Sequence, residues 1–168
     1  MEPTKWIVKT FDELTGREVY EILRARAEVF IKEQGIHCVD PDTVDYKSLH
    51  IFAMGKVAIA SDDIDAAGVQ EDEVTEGESV FAYLRAYRVD DDTMKVGRIL
   101  AVPHGVGIGT ELMKYAIKVI PEKTGCKKIV MDAQKHAVAF YEKLGFKVTS
   151  DEYLEEGVVH VDMCLNIQ

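Results

Sequence analysis

The stretch Val102-Pro103-His104-Gly105-Val106-Gly107-Ile108-Gly109 runs directly into Thr110-Glu111-Leu112-Met113-Lys114-Tyr115-Ala116-Ile117. An apolar run from Ile99 to Val102 precedes it, and glycine stands at every second position of the loop. Leu112, Met113, Ala116, Ile117 and Ile120 then fall on one face at helical spacing. This is a strand, a bare-backbone turn and a helix N-terminus in series. Glycines let a ligand approach the main chain closely, while unpaired first-turn N–H groups at the positive end of the helix dipole favour an anion, typically a phosphate. The same spacing suits a tight β–α turn whose glycines serve packing alone. The loop by itself leaves both readings open.

With 168 residues, 47% of them hydrophobic, and no second composition regime, the chain is expected to form one domain over 1–168. Met1-Glu2-Pro3-Thr4-Lys5-Trp6 is not a cationic and then apolar leader, and no apolar run approaches the ~18 residues of a membrane span. A soluble, cytoplasmic protein is expected. Cys38, Cys126 and Cys164 are odd in number and share no metal-ligand spacing, so they read as reduced thiols, with neither a disulfide frame nor a metal site. The net charge of −10, much of it between Asp62 and Glu78, disfavours a nucleic-acid backbone and tolerates or attracts a cationic or amine-bearing substrate.

Working outward, Trp6 to Lys9 reads as a short strand, and Val19, Ile22, Leu23, Ala27 and Phe30 as one side of a first helix ending near Gln34-Gly35. A loop with Asp40, Pro41, Asp42 and Asp45 follows, then a hairpin of His50–Met54 and Lys56–Ala60 about Gly55. Residues 61–79 lack an apolar period and read as an acidic surface insertion. Val80–Val89 and Lys95–Val102 read as strands joined at Asp90-Asp91-Asp92. Pro121 and Gly125 mark the end of the long helix, and Lys128–Ala133 is a further strand. A short helix carries Ala137, Phe140, Tyr141 and Leu144, Gly145 caps it, and Phe146–Thr149 pairs with Val158–Asn166. The order is mixed α and β.

A dinucleotide fingerprint fits poorly. The glycines are spaced G-x-G-x-G rather than G-x-G-x-x-G, Asp132 comes too late, and too little chain follows for a six-stranded doubly wound sheet.

His104-Gly105-Val106-Gly107-Ile108-Gly109 instead resembles the acetyl-CoA pyrophosphate loop of the GNAT N-acetyltransferase superfamily, and Ala139-Phe140-Tyr141-Glu142-Lys143-Leu144-Gly145-Phe146 resembles its second signature, in the right order and separation. Arg26-Ala27-Glu28-Val29-Phe30-Ile31-Lys32-Glu33-Gln34, the Asp40/Asp42/Asp45…His50 loop, Ala133-Gln134 and Gly157-Val158-Val159-His160 resemble the ElaA-like branch. His104 replaces the usual loop arginine, the segment before it is about two residues short of the family pattern, and the acidic segment is longer than expected.

The resemblance implies an α/β (α+β) fold, with a central mixed, twisted, mostly antiparallel sheet, flanking helices and a parallel strand pair splayed to admit the pantetheine arm. Those strands would end near Val102 and Ala133. It also implies acetyl-CoA as cofactor. Backbone N–H groups from Gly105 through Val106, Gly107, Ile108 and Gly109 to Thr110 would meet the pyrophosphate beside His104. Leu100, Ala101 and Val102 would pair with the pantetheine amides, and Gln134, Phe140 and Tyr141 would complete the cofactor site. The activity implied is acetyl transfer to a primary amine of a small molecule by direct attack in a ternary complex. Tyr141 would be general acid for the CoA thiolate, a role suited to a phenol that stays protonated at neutral pH. On its residues alone, Tyr141 also fits an apolar helix face as plain core.

Glu33 and His160 are candidate bases, and Arg26, Glu33, Gln34, His50 and Arg85 candidate acceptor-site residues. Arg26 interrupts an apolar stripe and invites a partner, either Glu33 or an aspartate of the 40–45 loop; it could equally snorkel at the stripe's edge. His50, like His160, is a candidate base, since a free imidazole ordinarily changes charge near neutral pH, and either could instead be a strand residue with a structural hydrogen bond. A non-catalytic acyl-CoA-binding or regulatory module is the alternative, and a homodimer through C-terminal strand edges is expected to be possible.

Overall fold

Ile51, Ala53, Ala82, Leu84 and Ala86 are all buried, and so are the Phe52 and Tyr83 that alternate with them, so the central strands are covered on both faces. The computed structural model describes residues 4–56 and 78–168. Eight strands among them form one mixed sheet: β1 (Ile7–Thr10), β2 (Leu49–Gly55), β3 (Ser79–Asp90), β4 (Thr93–Ala101), β5 (Lys128–Gln134), β6 (Lys147–Val148), β7 (Tyr153–Glu155) and β8 (Val158–Asn166). Their order is β1-β2-β3-β4-β5-β8-β6, with β7 also on β8. Every pairing is antiparallel except β4 with β5.

The long helix α2 (Ile108–Thr124) lies against one face, contributing Leu112, Met113, Ala116 and Ile120 to a core shared with Leu84, Val96 and Met131. The first helix, α1 (Gly16–Arg26), packs Ile22 and Ala25 with Phe52, Tyr83 and Leu100 on the other face. Burying one such aliphatic side chain contributes about 1.5–3 kcal/mol. Thr15 opens α1 with a reciprocal cap: its hydroxyl accepts from Glu18 N–H, and its own N–H donates to the Glu18 carboxylate.

The structure departs from the sequence expectations at several elements. The chain continues from α1 as a π-helix over Ala27–Glu33, stopped by Gly35 at φ 64. The wider turn carries Phe30 and Gln34 toward the open end of the sheet. α2 runs past Pro121 to Thr124, and Gly125 at φ 69 ends it by donating to the Pro121 carbonyl at 2.8 Å. The strand beside β2 opposite β1 is β3. Residues 57–60 of the expected hairpin, and nearly all of the acidic 61–79 segment, lie outside the described residues. β7 was not anticipated. Its two-residue connection to β8 needs left-handed backbone at both Glu156 (φ 49) and Gly157 (φ 75).

The parallel register of β4 and β5 covers only Thr93–Lys95 against Lys128–Val130, although both strands run on, to Ala101 and Gln134. The expected splay is therefore present, and it opens toward the glycine loop. Among the described residues no helix is long and apolar enough to cross a membrane.

Candidate active site

At the far end of the splay, Gly105 (φ 80) and Gly107 (φ 89) take left-handed backbone that only glycine adopts without strain. Gly107 is the N-cap of α2 and offers no side-chain cap, so the first-turn N–H groups stay open to an anion. Gly109 brings the start of α2 near Ala101 and Phe140; a Cβ there would lie 3.8 Å from Ala101 Cβ and 4.0 Å from Phe140 Cζ, an ordinary contact. Leu100, Ala101 and Val102 lead into this loop along the β4 edge that β5 has left.

A cleft of about 470 Å³ opens beside the splay and is lined by Gln34, Arg85, Lys95, Gln134, Tyr141 and His160, among others. Where β4 and β5 part, Lys95 Nζ meets Asp132 Oδ2 at 2.7 Å. Burial opposes a charge on Lys95, but Asp132 outweighs it and pushes the ammonium pKa up. The sequence reading assigned neither residue to the site. They have no motif, and they meet only because the strands run parallel here.

Tyr141, on the short helix α3 (Val138–Glu142), is 9% exposed and packs edge-on against Phe140 and Phe146. Its hydroxyl makes no hydrogen bond among the described residues, and burial pushes its pKa up to about 12. His160 on β8 is 8% exposed. Its Nδ1 lies 2.8 Å from the Val158 carbonyl, which only accepts, so the neutral ring carries its proton on Nδ1 and presents a bare Nε2. That Nε2 is 3.9 Å from the Glu155 carboxylate, beyond hydrogen-bond reach. The ring stacks on Tyr153, whose hydroxyl donates to Asp162 Oδ1 at 2.7 Å; burial and that bond together raise the Tyr153 pKa.

Three other anticipated residues lie away from the cleft. Arg26 is fully buried: Nε donates to Asp40 Oδ2 at 2.7 Å, Nη1 to Asp45 Oδ1 at 2.8 Å and Nη2 to the Asp40 carbonyl at 2.8 Å. Of its two anticipated partners the loop aspartates win, because Glu33 is turned outward. His50 is buried beside them, with Nε2 donating to the Asp45 carbonyl and Nδ1 accepting from Tyr83 Oη, both at 2.9 Å. Burial lowers its pKa, so it is a neutral structural ring. Glu33 meets His104 Nε2 at 2.9 Å on the exposed side of the loop. Gln34, by contrast, accepts from Gln134 Nε2 at 3.0 Å, bridging the first helix to the end of β5.

The aspartates complete a closed ring of alternating charge. Asp40 links Arg26 to Arg98, Asp42 links Arg98 to Arg85, and Asp45 links Arg85 back to Arg26. Hydrogen bonds from Arg85, with burial opposing, lower the Asp42 pKa; burial would raise Asp45, but Arg26 and Arg85 hold it low. Arg85 lines the cleft with its remaining donor, Nε, buried and unpartnered among the described residues. Sequence reading singled out Arg26, Arg85 and the aspartates but missed Arg98, which carries no local signal.

The chain is similar to several known proteins. Residues 87–167 match the family model described as an acetyltransferase (GNAT) domain. The chain is 28% identical to a UPF0039 protein of Schizosaccharomyces pombe over 99% of this chain and 100% of that one. It is 25% identical to ElaA of Escherichia coli over 97% of each chain. The ElaA crystal structure superposes with a TM-score of 0.75, at 24% identity over 96% of this chain and 99% of that one. An acyl-CoA N-acyltransferase from Pseudomonas aeruginosa gives the same TM-score and identity, covering 95% and 98%.

Proposed function

We propose that this chain, which carries a GNAT acetyltransferase domain and is an acyltransferase, moves the acetyl group of acetyl-CoA onto a primary amine of a small molecule by direct attack within a ternary complex. The observation that carries the reading is the parting of β4 from β5 after Lys95 and Val130, between the uncapped start of α2 and the unpartnered Tyr141 hydroxyl.

Acetyl-CoA supplies an electrophilic thioester and a sulfur leaving group. The first-turn N–H groups of α2, with Gly105 and Gly107 shaping the loop, hold its pyrophosphate, and the free edge of Leu100, Ala101 and Val102 pairs with its amides. His160 Nε2 takes one proton from the incoming ammonium, freeing the lone pair that forms the new C–N bond, and the second nitrogen proton leaves as the C–S bond breaks, replacing the one Tyr141 gives up. Tyr153 and the Val158 carbonyl fix that ring's orientation and tautomer. Tyr141 holds a proton at its hydroxyl across the neutral range because a buried phenolate is disfavoured, and passes it to the sulfur as the C–S bond breaks. Asp132, Glu155 and Glu156 at the cleft suit an acceptor that arrives as an ammonium.

The test is a calorimetric titration with acetyl-CoA, NADH serving as control, followed by an acetylation screen of amines with wild type and Tyr141→Phe. Saturable acetyl-CoA binding, turnover of an amine, and loss of turnover without loss of binding in the variant are expected. Binding of NADH instead would overturn the donor assignment. Binding without turnover of any amine would favour a non-catalytic acyl-CoA-binding module.

A further inference from the structure

Between the cross-strand pairs Tyr83–Leu100 and Arg85–Gly97, β4 spends one residue more than β3. Within that excess Arg98 sits at φ 54, a left-handed backbone that residues bearing a Cβ avoid. A bulge of this kind bends its strand and sharpens the local twist. It follows Gly97, two residues past Lys95, where the register with β5 ends.

The Arg98 side chain is tied down. Its Nε donates to Asp40 Oδ1 at 2.8 Å and its Nη2 to the Asp40 carbonyl at 3.3 Å. Asp40 is itself only 4% exposed and is gripped from behind by fully buried Arg26 through the same two acceptor groups, carboxylate and carbonyl. Asp40 is thus held by Arg26 as well as by Arg98.

We propose that Asp40 is a positioning residue for the acetyl-donor site: by holding the Arg98 guanidinium it keeps the bulge in its left-handed form, and so keeps β4 turned away from β5. It acts through the Arg98 backbone and not by touching the donor. The inference rests on the acetyl-CoA reading of the splay.

Arg98→Ala and Arg98→Gly both remove the guanidinium, but only glycine adopts the left-handed form freely. Calorimetric titration with acetyl-CoA should therefore find Arg98→Gly binding about tenfold more tightly than Arg98→Ala. Asp40→Asn should weaken binding about tenfold in the wild-type background and at most about twofold in the Arg98→Gly background. Melting temperatures separately record the lost ion pair, which is common to both Arg98 variants. Equal affinities for Arg98→Ala and Arg98→Gly, or an equal effect of Asp40→Asn in the two backgrounds, would overturn the inference while leaving the donor assignment standing. A wild type without saturable acetyl-CoA binding would overturn both.

Discussion

The ring beneath residues 40–45 and the pair Tyr141 and His160 are both polar and both buried, but they are finished to different degrees. In the ring each carboxylate meets two guanidinium groups. In the pair, the Tyr141 hydroxyl and His160 Nε2 have no hydrogen-bond partner among the described residues, while the other ring nitrogen of His160 is used to orient it. Leaving a buried polar atom without a partner costs about 1–3 kcal/mol, and among the described side chains that cost falls on Arg85 Nε, the ring's own donor at the cleft. The pair differs from the ring in keeping hydrogen-bonding capacity unspent at the cleft, a property the ring shares only at Arg85 Nε.

The comparison breaks or sharpens under substitution. Tyr141→Phe should lower kcat for an accepted amine by about 10²–10⁴, with the melting temperature and the acetyl-CoA dissociation constant near wild type; a falling melting temperature with turnover intact would place Tyr141 on the scaffold side. Arg26→Ala should do the reverse. It leaves Asp40 held by Arg98 alone and Asp45 by Arg85 alone and opens a cavity at a fully buried side chain, so urea unfolding should show a loss of about 3–5 kcal/mol. His160→Gln should cost about 10² in kcat with the acetyl-CoA dissociation constant near wild type, and unchanged turnover would assign the base elsewhere.

Acid should dismantle the ring side in two stages, followed by melting temperature against pH. The folded pKa of His50 lies below its ordinary value, so the unfolded chain binds its proton first and stability begins to fall below about pH 6.5. The lowered pKa values of Asp42 and Asp45 mean that their contribution, complete at neutral pH, is lost as pH falls below about 4. His50→Gln should erase the first stage alone. The smallest effect is expected from Glu33→Gln: its pair with His104 is exposed and should contribute less than about 1 kcal/mol.

What the sequence made legible is what local chemistry writes. Gly105, Gly107 and the apolar face of α2 announce themselves because left-handed backbone and helical packing each demand particular residues at fixed spacing. The arginine within the first helix's apolar stripe advertised a buried partner, and the aspartates near residue 40 were within view. The bulge at Arg98 was not legible, since Lys95–Val102 reads as an ordinary strand and its distortion is held by a residue 58 positions away. Nor was the outward turn of Glu33: it follows from the π-helical stretch, which shifts side chains off the face that regular spacing predicts. His160 could be named a candidate, but its tautomer is set by the carbonyl of Val158 inside a hairpin whose first strand went unread.

The ring also fixes an order of assembly. Its aspartates come from one short loop, whereas its arginines come from the first helix, β3 and β4, at separations of 14 to 58 residues along the chain. With any of these elements missing, a carboxylate of the loop loses one of its two guanidinium partners, so the loop docks fully only once the first helix, β3 and β4 are together. Resistance of residues 37–48 to proteolysis therefore reports the docking of the first helix on a closed β3–β4 hairpin, and a cut there marks molecules in which that hairpin is still open.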